Sequence, residues 1–132
     1  MGRSKNKPQD QRQGVPGLKA KVSLGADVIG TGKIRLLELV GETGSISGAA
    51  RDMGMGYRRA WTLLESLQRC FAAPLLETSR GGGSQGGATL TPLGQTLVER
   101  HRAFEAGLEA AAKPYLDWLN EAGGQDSPAK PD

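Results

Sequence analysis

The chain contains one cysteine and one histidine in 132 residues. A lone cysteine excludes an intrachain disulfide and fits a reducing, cytoplasmic compartment. One histidine and one cysteine cannot build a protein-only zinc site of the usual kind, nor a paired Cys/His arrangement for nucleophilic chemistry. No apolar run approaches the ~18 residues that a membrane helix needs, and the first residues are polar, without the apolar core of a signal peptide. The glycine-rich runs GADVIGTGK and GGGSQGG lack the phosphate-loop spacing, in which Gly, four residues and Gly-Lys-Ser/Thr follow one another. Gly32-Lys33 is followed by Ile34. Glu38, Glu42 and Glu65 read as solvated helix faces. These absences leave no catalytic constellation, so the sequence reads as a protein that is not an enzyme and holds no metal or cofactor.

Positive charge is present, but only locally. The net charge is +3. Residues 1–21 hold Arg3, Lys5, Lys7, Arg12, Lys19 and Lys21 against Asp10 alone, while the rest carries 11 basic and 13 acidic groups. Residues 1–21 therefore read as a disordered basic tail, either an appended segment or a non-specific grip on DNA. A nucleic-acid footprint on the body, residues 22–121, must be local. Residues 122–132, ending in GGQDSPAKPD, read as a second disordered tail. A chain of this length holds one domain.

The most informative stretch is GSISGAARDMGMGYRRAWTLLESLQR, Gly44 to Arg69. Ser45 is a good N-cap for a helix over Ile46–Met53. Gly54-Met55-Gly56 breaks the chain, and a second helix starts near Tyr57. Two short helices around a glycine turn are the sequence form of a helix-turn-helix, whose second helix can enter the DNA major groove. At about 100° per residue, Leu64, Leu67 and Phe71 fall within about 40° of Ala60 and form an inward face. Arg58 and Thr62 lie opposite, with Arg59 on one flank and Trp61 on the other. Arginines at the start of such a helix can pair with guanine edges or neutralise phosphates. Trp61 fits either packing or contact with a thymine methyl. Cys70, at the end of this helix, reads as a buried structural thiol.

Elsewhere the pattern is simpler. Val22–Ile29 reads as a short strand. A helix follows from Thr31 or Gly32 to about Glu42, with Ile34, Leu37 and Val40 on one side, and Gly44 ends it. Pro74 closes the recognition helix; Leu75–Thr78 and Ala88–Leu90 then read as two strands around the glycine-rich tip RGGGSQGG, which makes a wing. Thr91 and Pro92 are the cap and first residue of a last helix. Its apolar positions, Leu97, His101, Phe104, Leu108, Ala111 and Tyr115, step by three and four, near a heptad seam. Leu97, Phe104, Leu108 and Tyr115 are the expected dimerisation residues, in a homodimer held mainly by the first helix and the helix from Pro92 onward, and His101 reads as a surface or interface side chain. Pro114 predicts a kink or restart, with Lys113–Glu121 as a second piece. The fold class is mainly α with a small β wing: a winged helix-turn-helix followed by a long C-terminal dimerisation helix.

From about Val22 to Ala106 the chain resembles the N-terminal DNA-binding domain of the ModE family, the molybdate-responsive bacterial regulators, and more distantly the LysR-type winged helix-turn-helix. The marks are TGSISGAARDMGMGYRRAW and GGGSQGGATLTPLG. The resemblance implies a homodimeric transcription factor on a palindromic operator in double-stranded DNA, near molybdate-uptake or molybdoenzyme genes. Reading and resemblance together give the candidate DNA contacts as Ser45, Ser47, Tyr57, Arg58, Arg59, Trp61, Thr62, Arg80, Ser84 and Gln85. Gly56 stands where a serine is usual, and Ser84-Gln85 where a lysine and further glycines are usual, so the cap and the wing's charge are weaker. The family's ligand-responsive members carry molybdate-binding modules after this domain. The sequence ends about ten residues past its last helix, so no small-molecule effector is expected on it. The alternative is a winged-helix protein-interaction module that has lost DNA binding.

Overall fold

The computed structural model describes residues 17–79 and 86–123. A hairpin comes first, β1 (Lys21–Leu24) and β2 (Asp27–Gly30), then α1 (Thr31–Thr43), α2 (Ile46–Met53) and α3 (Tyr57–Gln68). The wing strands β3 (Leu76–Thr78) and β4 (Ala88–Leu90) lead into α4 (Pro92–Gly123). Residues Ala20–Phe104 form one compact unit, and the Glu105–Gly123 part of α4 falls in a second. This is the expected mainly-α winged helix-turn-helix with a long last helix. Among the described residues no helix is long and apolar enough to cross a membrane.

The run expected as one strand over Val22–Ile29 is a two-stranded antiparallel hairpin, with Val22 opposite Ile29 and Leu24 opposite Asp27. Gly25, at φ +66°, makes the turn possible, as a two-residue connection needs a residue that tolerates positive φ. Lys21, counted with the tail, is the first residue of β1. Ile29 is buried while Val22, Leu24 and Val28 remain substantially exposed.

The core is built around α1. Leu36, Leu37 and Val40 are fully buried, and Ile34 and Leu39 nearly so. The sequence stripe Ile34–Leu37–Val40 is thus only three of the five buried residues of α1. Leu36 and Leu39 are also enclosed because α1 is covered by α2, α3, β2 and β4 together. Ile46, Ala49 and Ala50 of α2 and Ala60, Leu64 and Leu67 of α3 close the same core. At about 1.5–3 kcal/mol for each fully buried leucine-sized side chain, this cluster dominates the stability of the unit.

Helix ends follow local chemistry. Gly44 ends α1 at φ +82°, and its N–H reaches the Val40 carbonyl. Ser45 Oγ accepts from Gly48 N at 2.8 Å, which starts α2. Gly54, at φ +73°, ends α2. Gly48 is dictated by that cap: a Cβ there would sit 2.9 Å from both Ser45 Oγ and Thr43 Oγ1. Ser45→Ala is expected to cost about 1 kcal/mol, because it strands the Gly48 donor in a half-buried place. A urea midpoint that does not move would show that water replaces the cap.

Three expectations are corrected. The recognition helix α3 ends at Gln68, before Pro74, and the chain leaves it through tight turns from Cys70 N to the Leu67 carbonyl and Phe71 N to the Gln68 carbonyl. Phe71 is therefore not on the helical face, although it packs half-buried on the core. The last helix runs without restart through Pro114, which is exposed. Proline removes one backbone bond there, and the orphaned carbonyl can turn to solvent. His101 is buried, with its ring 5.9 Å from that of Phe104.

Candidate nucleic-acid interface

The recognition helix is held from behind and open in front. Ala60, Leu64 and Leu67 point into the core, as their spacing requires. Arg58, Arg59 and Thr62 are exposed, and Tyr57 and Trp61 are partly so, at 36% and 44%. Thr62 Oγ1 donates to the Arg58 carbonyl at 3.0 Å, so its hydrogen is spent within the helix.

Arg35, Arg69 and Arg102 are paired with carboxylates, whereas Arg51, Arg58, Arg59 and Arg100 are exposed without one among the described residues. Arg35 pairs with Glu38 at 2.8 Å, and Arg102 pairs with the same Glu38. Arg69, just past α3, grips Asp27 of β2 through two contacts at 3.0 and 3.4 Å. The hydrogen bond to Asp27, and then its charge, raise the Arg69 pKa above its ordinary value. Among the described residues neither Arg58 nor Arg59 has a carboxylate partner. Two unneutralised guanidinium groups on one exposed turn are the chemistry that meets guanine edges and phosphates.

The wing stands beside that turn. Its strands pair Leu76 with Leu90, Glu77 with Thr89 and Thr78 with Ala88. Ala88 N donates to the Gly44 carbonyl at 2.8 Å, which fastens the wing to the corner between α1 and α2. Ser79 N donates to the Gly87 carbonyl and Ser79 Oγ accepts from Gly87 N, both at 2.9 Å. A groove of about 270 Å³ runs between Ser47, Tyr57 and Trp61 on one side and Thr78, Ser79 and Gly87 on the other. A second, of about 510 Å³, lies past Trp61 and is bordered by Leu64, Leu76 and Arg69. Trp61 borders both, so its ring packs on its edges while part of it faces solvent.

Of the expected contact residues, the structure brings Ser47, Tyr57 and Trp61 to one groove and presents Arg58, Arg59 and Thr62 on the adjoining face of α3. Ser45 is half-buried and serves as the α2 cap. Arg80, Ser84 and Gln85 lie outside the described residues. Thr78, Ser79 and Gly87 were not singled out from sequence; the signal available was their place at the root of the two wing strands. On α4, Leu97 packs against the core of its own domain, while Phe104 is 42% exposed. Within Glu105–Gly123, Leu108 is half-buried, and exposed Tyr115 and Trp118 stack with ring centroids 6.3 Å apart.

Residues 32–95 match the bacterial regulatory helix-turn-helix proteins of the lysR family. The chain is 38% identical over 92 residues to the molybdenum-pterin-binding protein MopB of Rhodobacter capsulatus, covering 70% of this chain and 34% of that protein. It is 34% identical over 110 residues to the molybdenum transport protein ModE of Azotobacter vinelandii, covering 81% and 41%. Against the DNA-binding transcriptional dual regulator ModE of Escherichia coli it is 37% identical over 67 residues, covering 51% and 26%. The chain thus spans between a quarter and two fifths of the length of these relatives. With two bare arginines on α3 and a wing fastened beside it, these matches define a winged helix-turn-helix DNA-binding domain. More narrowly, the chain carries the LysR-like domain found at the N-terminus of ModE-type regulators.

Proposed function

We propose that this domain reads an operator in double-stranded DNA for a transcriptional regulator, and does so as a two-fold dimer. The observation that carries the reading is the exposed turn of α3 with Arg58 and Arg59 unneutralised beside the wing groove. In this reading α3 lies in the major groove, Arg58 meets base edges, and Arg59, Tyr57 and Ser47 meet the sugar-phosphate backbone. The names of the relatives, a molybdenum transport protein ModE and a molybdenum-pterin-binding protein among them, support regulated genes linked to molybdate uptake or molybdoenzymes. Selection from a random-sequence duplex library, followed by genome-wide mapping of bound sites, tests both parts. Failure to bind any duplex at low salt would favour a protein-interaction module, and bound sites remote from molybdenum genes would remove the pathway.

The dimer is proposed along α4. Phe104, Leu108 and Tyr115 supply an apolar seam at steps of four and seven, while Leu97 serves mainly its own core. The exposed face of α1 is polar, with Arg35 and Glu42 on it, so α1 adds charge contacts at most. Two-fold symmetry would set half-sites about 34–36 Å apart, one turn of DNA. Light scattering at tens of micromolar is expected to give twice the chain mass. A monomer there, or a selected site without two-fold symmetry, removes the dimer.

A further inference from the structure

The link between the recognition helix and the wing, residues 69–75, contains neither helix nor strand, yet its polar backbone groups are met by two side chains. Gln68, the last residue of α3, donates from Nε2 to the Ala73 carbonyl at 2.8 Å and to the Phe71 carbonyl at 3.4 Å. Its Oε1 accepts from Leu75 N at 2.8 Å. From the far side Thr91 Oγ1 donates to the Pro74 carbonyl at 2.8 Å and accepts from Gly94 N at 3.1 Å. Thr91 N donates to the Leu75 carbonyl at 3.0 Å. Leu75 itself is 2% exposed and plugs the core one residue before β3 begins. The root of the wing is therefore pinned at Leu75, from α3 by the Gln68 side chain and from the cap of α4 by the Thr91 backbone N–H.

We infer that Gln68 is a positioning residue for DNA binding: its bracket on Ala73 and Leu75 fixes the wing's angle to the recognition helix, so that wing and helix engage one duplex together. The inference rests on the DNA-binding reading above. Gln68 points into the link and away from the arginine turn, so it acts through the wing and touches no DNA. A short irregular link without this bracket would satisfy its carbonyls with water and sample several angles. Each extra angle lowers the share of molecules competent to use both contacts.

The test uses a duplex that the wild-type protein enriches from a random-sequence library. Hydroxyl-radical footprinting reads the backbone, methylation interference reads guanine edges, and urea unfolding is followed for each variant. Gln68→Met keeps the length and removes every hydrogen bond of the side chain. It is expected to remain folded and to keep the guanine contacts under α3, but to lose backbone protection on the wing side. Affinity should fall roughly tenfold and the salt slope by about one. Gln68→Glu keeps an acceptor for Leu75 N but loses the donor, and is expected to fall between the two. A wild-type footprint and salt slope in Gln68→Met would overturn the inference. So would a footprint weakened evenly under helix and wing in proportion to lost stability, since that is a structural role alone. If Gln68→Met does not fold, Gln68→Glu is judged by the same two criteria. A wild-type protein that enriches no duplex refutes DNA binding itself, before any substitution is made, and takes this inference with it.

Discussion

Gly94→Ala is expected to destabilise the domain by about 2 kcal/mol, although alanine is the better helix former. A Cβ at Gly94 would overlap the Leu75 carbonyl oxygen and lie 3.5 Å from Leu90 Cβ. That carbonyl cannot retreat cheaply, because it accepts from Thr91 N at 3.0 Å and belongs to a residue sunk in the core. Overpacking of this kind costs about 1–3 kcal/mol or more, and the gain of about 1 kcal/mol in helix propensity offsets only part of it. Gly107, on the same helix, has nothing within 4 Å of an added Cβ. Gly107→Ala is therefore expected to stabilise by roughly 0.5–1 kcal/mol. Urea unfolding of the two variants should show opposite signs. A Gly94→Ala midpoint at or above that of the wild type would mean that α4 can slide off Leu75, and that the junction is softer than its hydrogen bonds indicate.

The contrast between those two glycines also separates what was legible in the sequence from what was not. Features fixed by neighbours in the chain were readable. Ser45 caps α2, Gly44 and Gly54 end helices at positive φ, and Thr91 caps the helix that begins at Pro92. Each depends on one side chain or one missing Cβ acting within four residues. The α3 face was readable too, because Ala60, Leu64 and Leu67 repeat at helical spacing.

Features fixed by packing were not. On α4 the core takes Gly94, Val98 and His101, a stripe beside the one read as a seam. Both stripes pass through His101 with steps of three and four, so periodicity alone cannot choose between them. The choice is made by packing on Leu75, from across the wing, and on Leu90, just before the helix. Likewise the extent of α3 was overread because Pro74 is the visible helix breaker, whereas Gln68 ends the helix by folding back on the link. Gly25 is a local signal of the first hairpin: a glycine between Leu24 and Asp27 marks a turn. In the candidate interface, residue types on α3 could be read from sequence, but the pairing of Ser47, Tyr57 and Trp61 with Ser79 and Gly87 needs the fastening of Ala88 to Gly44.

The expected consequence of that arrangement for DNA is a division of labour between adjacent arginines. Arg58 leaves α3 opposite Ala60 and Leu64, from the face that would sit deepest in a major groove. Arg59 is rotated by about 100° to the flank. Both are exposed and, among the described residues, unneutralised. Arg58→Ala should cost about 1–3 kcal/mol on the selected operator and blur the preference at one base pair. It should change random-duplex binding far less, because a base contact contributes little where there is no matching base. Arg59→Ala should weaken operator and random duplex alike and lower the salt slope by roughly one, the loss of a single phosphate contact. Neither change should alter the unfolding free energy by more than about 0.5 kcal/mol, since both side chains are exposed. Titrations of each variant against operator and scrambled duplex at several salt concentrations read all of these together. If the two variants behave identically, base reading does not reside in Arg58. If neither alters binding, α3 is not the groove-reading element, and the wing and basic residues elsewhere must hold the DNA.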